Sequence, residues 1–217
     1  MFIGHYAVAL AAKRATPKVS LGTLFLSAQL ADLLWPLFLM LGLEHVRIDP
    51  TNTAFTPLDF YDYPISHSLV GALGWSIVAG GLYYIFRKDL KSGAILGLVV
   101  FSHWILDFIT HRPDLHFGLG VNLSFGLRLW NSVSGTIMVE GILFLAGIAI
   151  YLRTTSANDR TGRFGFWTLI GVLILIYMVN IIGPPPPDES SIAILGNAAW
   201  IFVFWAYWID RHRHVTT

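Results

Sequence analysis

Three residues near the middle of the chain have the types and spacing needed to bind a metal ion. His103, Asp107 and His111 stand at positions i, i+4 and i+8, which predicts that they share one face of a helix. Neutral imidazole and carboxylate are ligands that zinc prefers, and they also suit manganese and iron. The pattern is weak by itself, because a chain with 8 histidines and 13 acidic residues often contains such a pair by chance.

Other ionisable residues interrupt apolar segments, where their burial is expensive and indicates function. They are His5, Asp32, His67, His103, Asp107 and Glu140. Counting about 1.5 Å per residue from the nearest charged end puts Asp32, His103, Asp107 and Glu140 about 18–24 Å up from one side of the bilayer. His67 is about 5 Å below the opposite surface and His5 only about 12 Å up. Except for His5, these residues are predicted to share one layer, where a cation would stabilise the buried acids.

The residues taken singly also have other interpretations. Asp107 could pair with a protonated histidine and hold helices together without a metal. His5 could be an interfacial histidine, and His111 could be solvated in a loop. Glu140 could be protonated and face small neighbouring residues.

The composition indicates that lipid is the solvent of this chain. Hydrophobic residues make up 55% of the 217 residues and charged residues 12%, with a mean hydropathy of +0.63. Soluble domains carry about 25% charged residues. The net charge of +1 and the absence of cysteine exclude a basic nucleic-acid binder and a disulfide scaffold. The length predicts one integral membrane domain over residues 1–217.

The apolar segments predict an all-α, polytopic membrane helical bundle, because a backbone in lipid must satisfy its own hydrogen bonds. About six transmembrane helices are expected. They cover residues 21–43, 65–86, 94–109, 129–152, 164–183 and 191–209. Residues 2–12 form a short N-terminal helix that reaches about half way across, as a re-entrant or surface helix. The metal-site half is residues 1–125, and additional transmembrane helices occupy 129–209.

Loop charges predict the orientation in a membrane of the bacterial cytoplasmic (inner) type. Basic residues precede the first span and follow the second, fourth and sixth, whereas the loop 44–64 is acidic. The positive-inside rule therefore puts both termini in the cytoplasm. The long loops 44–64 and 112–128 then face outward.

The order of these candidate ligands resembles a known family. An N-terminal His5, Asp32 in SAQLADLLWP, ISHSL at 65–69 and SHWILDFITH at 102–111 are similar to the YdjM-type family of membrane-bound metal-dependent hydrolases, over about residues 1–125. That family is in turn similar to zinc-dependent phospholipase C and P1-type nucleases, which are helical enzymes.

The resemblance implies a ligand set for a divalent metal. It comprises His5, Asp32, His67, His103 and Asp107, with His111 as an addition. The chain departs from the family pattern, because Leu33 follows Asp32 and no later HxxxE pair is present, so that Glu140 alone could replace it. These departures imply one or two ions, zinc first, with manganese or iron as alternatives.

Three functions are compatible with these residues. The first is a metal-dependent hydrolase of a phosphoester, such as a lipid headgroup, in which the metal activates water and Asp32 or Glu140 is the general base. The second is a proton-coupled transporter, since buried acids and histidines also mark proton paths. The third is a non-catalytic scaffold with a structural metal. Membrane lipid is the expected partner.

Overall fold

The computed structural model describes residues 1–216 and is a helical bundle, as the apolar segments predict. Its long helices are α4 (Leu69–Arg87), α5 (Leu90–Thr110), α6 (Val133–Thr154) and α7 (Arg160–Ile182). With the consecutive helices α8 (Glu189–Asn197) and α9 (Trp200–Asp210), they give 5 segments long and apolar enough to cross a membrane within the described chain, or 6 with a bent pair. The chain is an integral membrane protein of the all-α class.

The bent pair replaces the first predicted span. Residues 21–43 form α2 (Leu21–Ala28) and α3 (Leu30–Met40), which meet at an angle of 57°. The Ser20 side chain accepts a hydrogen bond from the Thr23 amide and starts α2. The bend is at Gln29, whereas Pro36 lies further along inside α3. The consequence for the site is that Asp32 stands in the first turn of a new helix.

The short N-terminal helix lies inside the bundle. Helix α1 (Ile3–Ala15) buries His5, Tyr6 and Leu10. It packs closely on α6 at Gly147, where an added Cβ would lie 2.5 Å from the Ala7 carbonyl oxygen. Small residues allow such close approach of two helix backbones. Of the two expected placements, the surface helix is therefore wrong, and the re-entrant helix stays a prediction.

A tight hairpin joins α4 and α5. Lys88 has a left-handed backbone (φ 55°) that ends α4, and the Asp89 side chain accepts from the Ser92 amide and starts α5. The helices touch at Gly80 and Gly93, since a Cβ on Gly80 would lie 2.6 Å from the Gly93 carbonyl oxygen. This hairpin brings the residues before α4 next to the last turns of α5.

Short strands cover that end of the bundle. Antiparallel β1 (His45–Ile48) and β2 (Leu58–Asp62) lie within the predicted outer loop 44–64. Antiparallel β3 (Leu115–His116) and β4 (Ser124–Phe125) lie within the loop 112–128, and a 3₁₀ turn (Leu129–Asn131) follows. A second apolar core, separate from the main core of the bundle, lies beneath them. It contains Trp35, Val46, Tyr63, Leu115 and Ile192.

The opposite end carries the C-terminal tail. Strand β5 (Thr155–Ala157) pairs with β6 (Arg213–Val215), and His212 Nδ1 lies 2.7 Å from Asp159 Oδ2. The Gly162 amide and His212 hold the pKa of Asp159 below its usual value. The Lys13 ammonium at the end of α1 lies 3.0 Å from Asp210. The tail and the α6–α7 connection thus share one end, as the loop charges predict; the membrane side that they face stays a prediction.

Candidate metal centre

The centre is built on α5, where His103 and Asp107 lie one turn apart. His103 Nε2 is 3.1 Å from Asp107 Oδ2, and the two side chains are 3% and 2% exposed. Residues four apart on a helix are neighbours, so this contact confirms the predicted pairing of the HxxxD residues. The long helix thereby holds an imidazole and a carboxylate together inside an apolar bundle.

Three other elements bring His5, Asp32 and His67 to this pair. The His5 ring stacks on the His103 ring with centroids 3.6 Å apart, and His5 Nε2 lies 3.2 Å from Asp107 Oδ1. Asp32 Oδ1 lies 3.4 Å from His67 Nε2 and 3.6 Å from His103 Nε2. Residues from α1, α3, α5 and the segment before α4 therefore meet at one point.

The convergence forms two overlapping groups that could hold a metal. One group is His5, His103 and Asp107, and the other is Asp32, His67 and His103. Within each group the ligand atoms lie within 4.8 Å of one another. The structure thus brings together the residues that the sequence selected as ligands, with His111 as the exception discussed below.

The surroundings of His103 leave a lone pair pointing into the centre. Its Nδ1 lies 2.8 Å from the Ala28 carbonyl oxygen, and because a carbonyl only accepts, Nδ1 must carry the proton. A neutral ring then has an unprotonated Nε2. Within residues 1–216 this buried nitrogen lacks a hydrogen-bond partner with suitable geometry, although Asp107 Oδ2 is close. A lone pair beside a carboxylate is repulsive unless a cation lies between them or the ring is doubly protonated.

A chain of two hydrogen bonds, through Ser66 to Glu44, orients the His67 ring in the same way. His67 Nδ1 lies 2.7 Å from Ser66 Oγ, and Ser66 Oγ donates to Glu44 Oε2 at 2.6 Å. A hydroxyl that donates its proton to a carboxylate is left to accept, so His67 Nδ1 donates to it. In a neutral ring Nε2 then faces Asp32 Oδ1 unprotonated, whereas a doubly protonated ring would donate to that oxygen at 3.4 Å. Metal-binding histidines commonly donate their other nitrogen in this manner.

Glu44 is a positioning residue that the sequence reasoning missed. It is 1% exposed, and its Oε1 accepts from the Ile65 and Ser66 amides at 2.7 and 2.8 Å. The sequence counted it only as one charge of an outer loop. The signal that could have found it is Ser66 beside His67, since this pair needs an acceptor, but no local pattern connects residue 44 with residue 66.

His111 is outside both groups. Helix α5 ends at Thr110, and His111 has an extended backbone (φ −64°, ψ 153°), so the predicted continuation of the helix face is wrong. Its Nδ1 lies 3.0 Å from Asp114 Oδ1 and 3.2 Å from the Tyr63 hydroxyl. Burial raises the pKa of Tyr63 well above its usual value, so the hydroxyl stays protonated and donates to Asp114. This cluster belongs to the cover above the centre.

Glu140 also lies outside the groups. The carboxylate is buried on α6, and its Oε2 accepts from the amides of Phe2 and Gly4 at 2.9 and 3.1 Å. It therefore satisfies backbone donors at the start of α1, where the helix dipole favours an anion. In this position Glu140 holds the helix that carries His5.

Asp107 divides its two oxygens between different neighbours. Oδ1 contacts His5 and also the amino group of Met1. Oδ2 faces the Nε2 atoms of His103 at 3.1 Å and His67 at 3.9 Å. An ion bound by both imidazoles would therefore use Oδ2, while Oδ1 keeps its existing partners.

A small cavity reaches the centre from the side of the bundle. It has a volume of about 10 Å³ and is lined by His67, His103, Ala31 and Trp75, among others. That volume is close to what one water molecule needs. The carboxylate of Asp32 is 33% exposed, against 6% for His67 and 3% for His103. The cavity therefore has room for about one water beside the two imidazoles, and the accessible carboxylate of Asp32 lies outside its lining, in contact with the same imidazoles.

No protein-family model, curated protein or solved structure matches the chain.

Proposed function

We propose that the chain is a membrane-embedded, metal-dependent hydrolase that cleaves a phosphoester, such as a lipid headgroup, in the outer half of the cytoplasmic membrane. The observation that supports this is the pair of buried Nε2 atoms on His67 and His103 beside two carboxylates: the Nδ1 atom of each ring carries the proton, so a neutral ring offers its Nε2 lone pair to a metal. The donor set suits zinc, and also manganese or iron. His103 Nε2 belongs to both groups and has one lone pair, which favours one ion.

The residues divide the chemistry between them. A metal held here would lower the pKa of a bound water and polarise a phosphoryl oxygen. Asp32 would accept the proton of the attacking water, because its carboxylate lies 3.4 Å from His67 Nε2 and 3.6 Å from His103 Nε2 and is 33% exposed. The water oxygen would bond to phosphorus, the bond from phosphorus to the leaving oxygen would break, and the leaving oxygen would take up the proton that Asp32 accepted. Of the two predicted bases, Asp32 is better placed, because Glu140 is occupied by the amides at the start of α1.

Metal analysis of the purified protein tests the first half of the proposal. We expect about one transition-metal ion per chain, with most of it lost in His103→Ala and Asp107→Ala, since removing a ligand weakens a site strongly. His45→Ala is the matched control, because His45 pairs with Asp62 on a half-exposed hairpin. A metal-free wild type that does not take up zinc would contradict the proposal, and a doubly protonated His103 ring would then explain the geometry.

Hydrolysis tests the second half. In vesicles of phosphatidylethanolamine and phosphatidylglycerol, we expect the wild type to release the headgroup. Asp32→Asn should keep the fold and part of the metal while losing most of the turnover, since loss of a general base costs about 10²–10⁴-fold. Full turnover in Asp32→Asn would remove this residue from the mechanism.

One observation favours transport as a second candidate. The helix that carries Asp32 is broken at Gln29, and broken helices next to buried acids form the binding sites of many transporters. Uptake into vesicles that depends on a proton gradient and on Asp32 would support transport. Headgroup release without a gradient would support hydrolysis.

The third candidate, a non-catalytic scaffold, is supported by the fact that the candidate ligands come from different helices. They join α1, α3 and α5, so a metal could stabilise the bundle without catalysing a reaction. This reading predicts that Asp107→Ala loses the fold and the metal together, and that the metal-loaded wild type hydrolyses none of the vesicle lipid.

A further inference from the structure

A groove lies beside the candidate metal centre. It has a volume of about 480 Å³ and runs between α4 and the connection from β3 to β4. This volume is within the range of sites for small ligands. Most of the lining is apolar: the groove is formed by Ile65, Val70, Trp75, Val78, Phe117 and Leu119, among others.

The two walls of the groove, helix α4 and the connection between β3 and β4, contact each other directly. The Val70 amide donates to the Phe117 carbonyl oxygen at 3.0 Å. A Cβ on Gly118 would lie 3.1 Å from a methyl group of Val70. The connection between β3 and β4 therefore rests directly on the first turn of α4, and the groove is a built feature of the fold.

The groove opens to lipid and has the length of one leaflet. Helix α4 has almost no buried residues, and Ile77 is 74% exposed, so in a membrane hydrocarbon contacts the side of α4 that faces away from α5. From Ser68 to Val78 the helix rises about 15 Å at 1.5 Å per residue. This is about half of the 30 Å hydrocarbon core. An extended acyl chain therefore fits along it.

Trp75 connects the groove with the metal centre. The indole lines both the groove and the small cavity that His67 and His103 border. Its Nε1 donates to the Ile65 carbonyl oxygen at 2.9 Å, which fixes the ring between the two spaces. The end of the groove at Ser68 is adjacent in sequence to His67. A chain lying in the groove would thus have its polar end next to the candidate ligands.

We infer that this groove binds one hydrocarbon chain of a membrane lipid and presents the phosphoester bond of that lipid to the metal centre. The inference rests on the proposed function, and it specifies the substrate as a lipid that enters sideways from the outer leaflet. Lipid is chosen over a soluble phosphoester because the groove is apolar, faces hydrocarbon and ends at the centre.

Gly74 provides a way to fill the groove without disturbing the protein. It lies in the lining, and an added Cβ there would meet nothing within 4 Å. Gly74→Leu therefore puts an isobutyl group into the space for the chain. Gly81→Leu is the matched control, because Gly81 is on the same helix, is equally open and is not part of the lining.

The test counts phospholipid molecules that stay with the protein. Each variant is reconstituted in vesicles of phosphatidylethanolamine and phosphatidylglycerol, extracted in mild detergent and examined by native mass spectrometry. We expect a retained phospholipid in the wild type and in Gly81→Leu, and its loss in Gly74→Leu. Equal retention in Gly74→Leu and Gly81→Leu would overturn the inference.

A second measurement separates this inference from the proposed function. The ratio of phospholipid hydrolysis to hydrolysis of a short-chain, water-soluble phosphoester should fall about tenfold in Gly74→Leu, as expected if about two methylene groups are excluded. Gly81→Leu should leave the ratio unchanged. An unchanged ratio in Gly74→Leu would refute the chain site even in an active enzyme. Lipid retention without any hydrolysis would instead support the chain site and count against the hydrolase.

Discussion

Replacing Glu44 by glutamine tests whether the relay through Ser66 prepares His67 for a metal. In Glu44→Gln the side-chain oxygen can keep the hydrogen bonds from the Ile65 and Ser66 amides, which are 2.7 and 2.8 Å long. The new amide nitrogen then faces Ser66 Oγ and can only donate. Ser66 must turn its proton to His67 Nδ1, and the ring proton moves to Nε2. The nitrogen that faces Asp32 is thereby blocked.

The expected effect falls on metal affinity more than on stability. Loss of an orienting partner costs about 10–100-fold in metal affinity, which corresponds to about 1.4–2.8 kcal/mol. The free energy of unfolding should change by only about 1 kcal/mol, because one hydrogen bond to a charged acceptor becomes neutral. Affinity and stability therefore separate in this variant.

A chelator competition titration with zinc measures the affinity, and ¹⁵N NMR of the histidine rings reports the tautomer. Asp62→Asn is the control, since Asp62 Oδ2 pairs with His45 Nδ1 at 2.9 Å on the half-exposed hairpin. Wild-type zinc affinity in Glu44→Gln, together with a proton that remains on His67 Nδ1, would refute the reasoning.

Two further predictions concern the helix that carries His5. Gly147→Leu should destabilise the protein by about 1–3 kcal/mol, the usual cost of overpacking, because even its Cβ would lie 2.5 Å from the Ala7 carbonyl oxygen. Thermal unfolding measures this loss of stability. An unchanged unfolding midpoint would contradict the close packing of α1 on α6. Glu140→Ala should cost about 1–3 kcal/mol, because the Phe2 and Gly4 amides lose their buried acceptor. Glu140→Gln should recover most of that stability, and equal losses in both variants would show that the amides are not the reason.

The contact between His103 and Asp107 could be predicted from the sequence, because residues four apart lie one turn apart on the same face of a helix. Their contact depends only on α5 being helical. The same rule failed at His111, because it assumed that the helix continued beyond Thr110. A spacing rule is valid only as far as the element extends, and the apolar segment predicted over 94–109 already ended before His111.

Counting along the chain placed His5 too far from the other candidates. The count assumed that Lys13 marks the membrane surface. The structure buries Lys13 instead, with its ammonium group 2.7 Å from the Val19 carbonyl oxygen and 3.0 Å from Asp210. Lys13 is therefore enclosed by protein at the end of the bundle that carries the C-terminal tail, so it does not mark the lipid–water boundary for α1, and the His5 ring stacks on His103.

The sequence by itself determined that this is an apolar helical protein of the membrane and selected the acids and imidazoles that meet in it, because burial of charge in lipid is too costly to occur without a reason. The tertiary structure decided how these residues are used. The bend at Gln29, the insertion of α1 and the approach of Glu44 to Ser66 each join residues that are far apart in the chain. Such contacts depend on how whole elements pack, and the spacing of residues along the chain does not predict them.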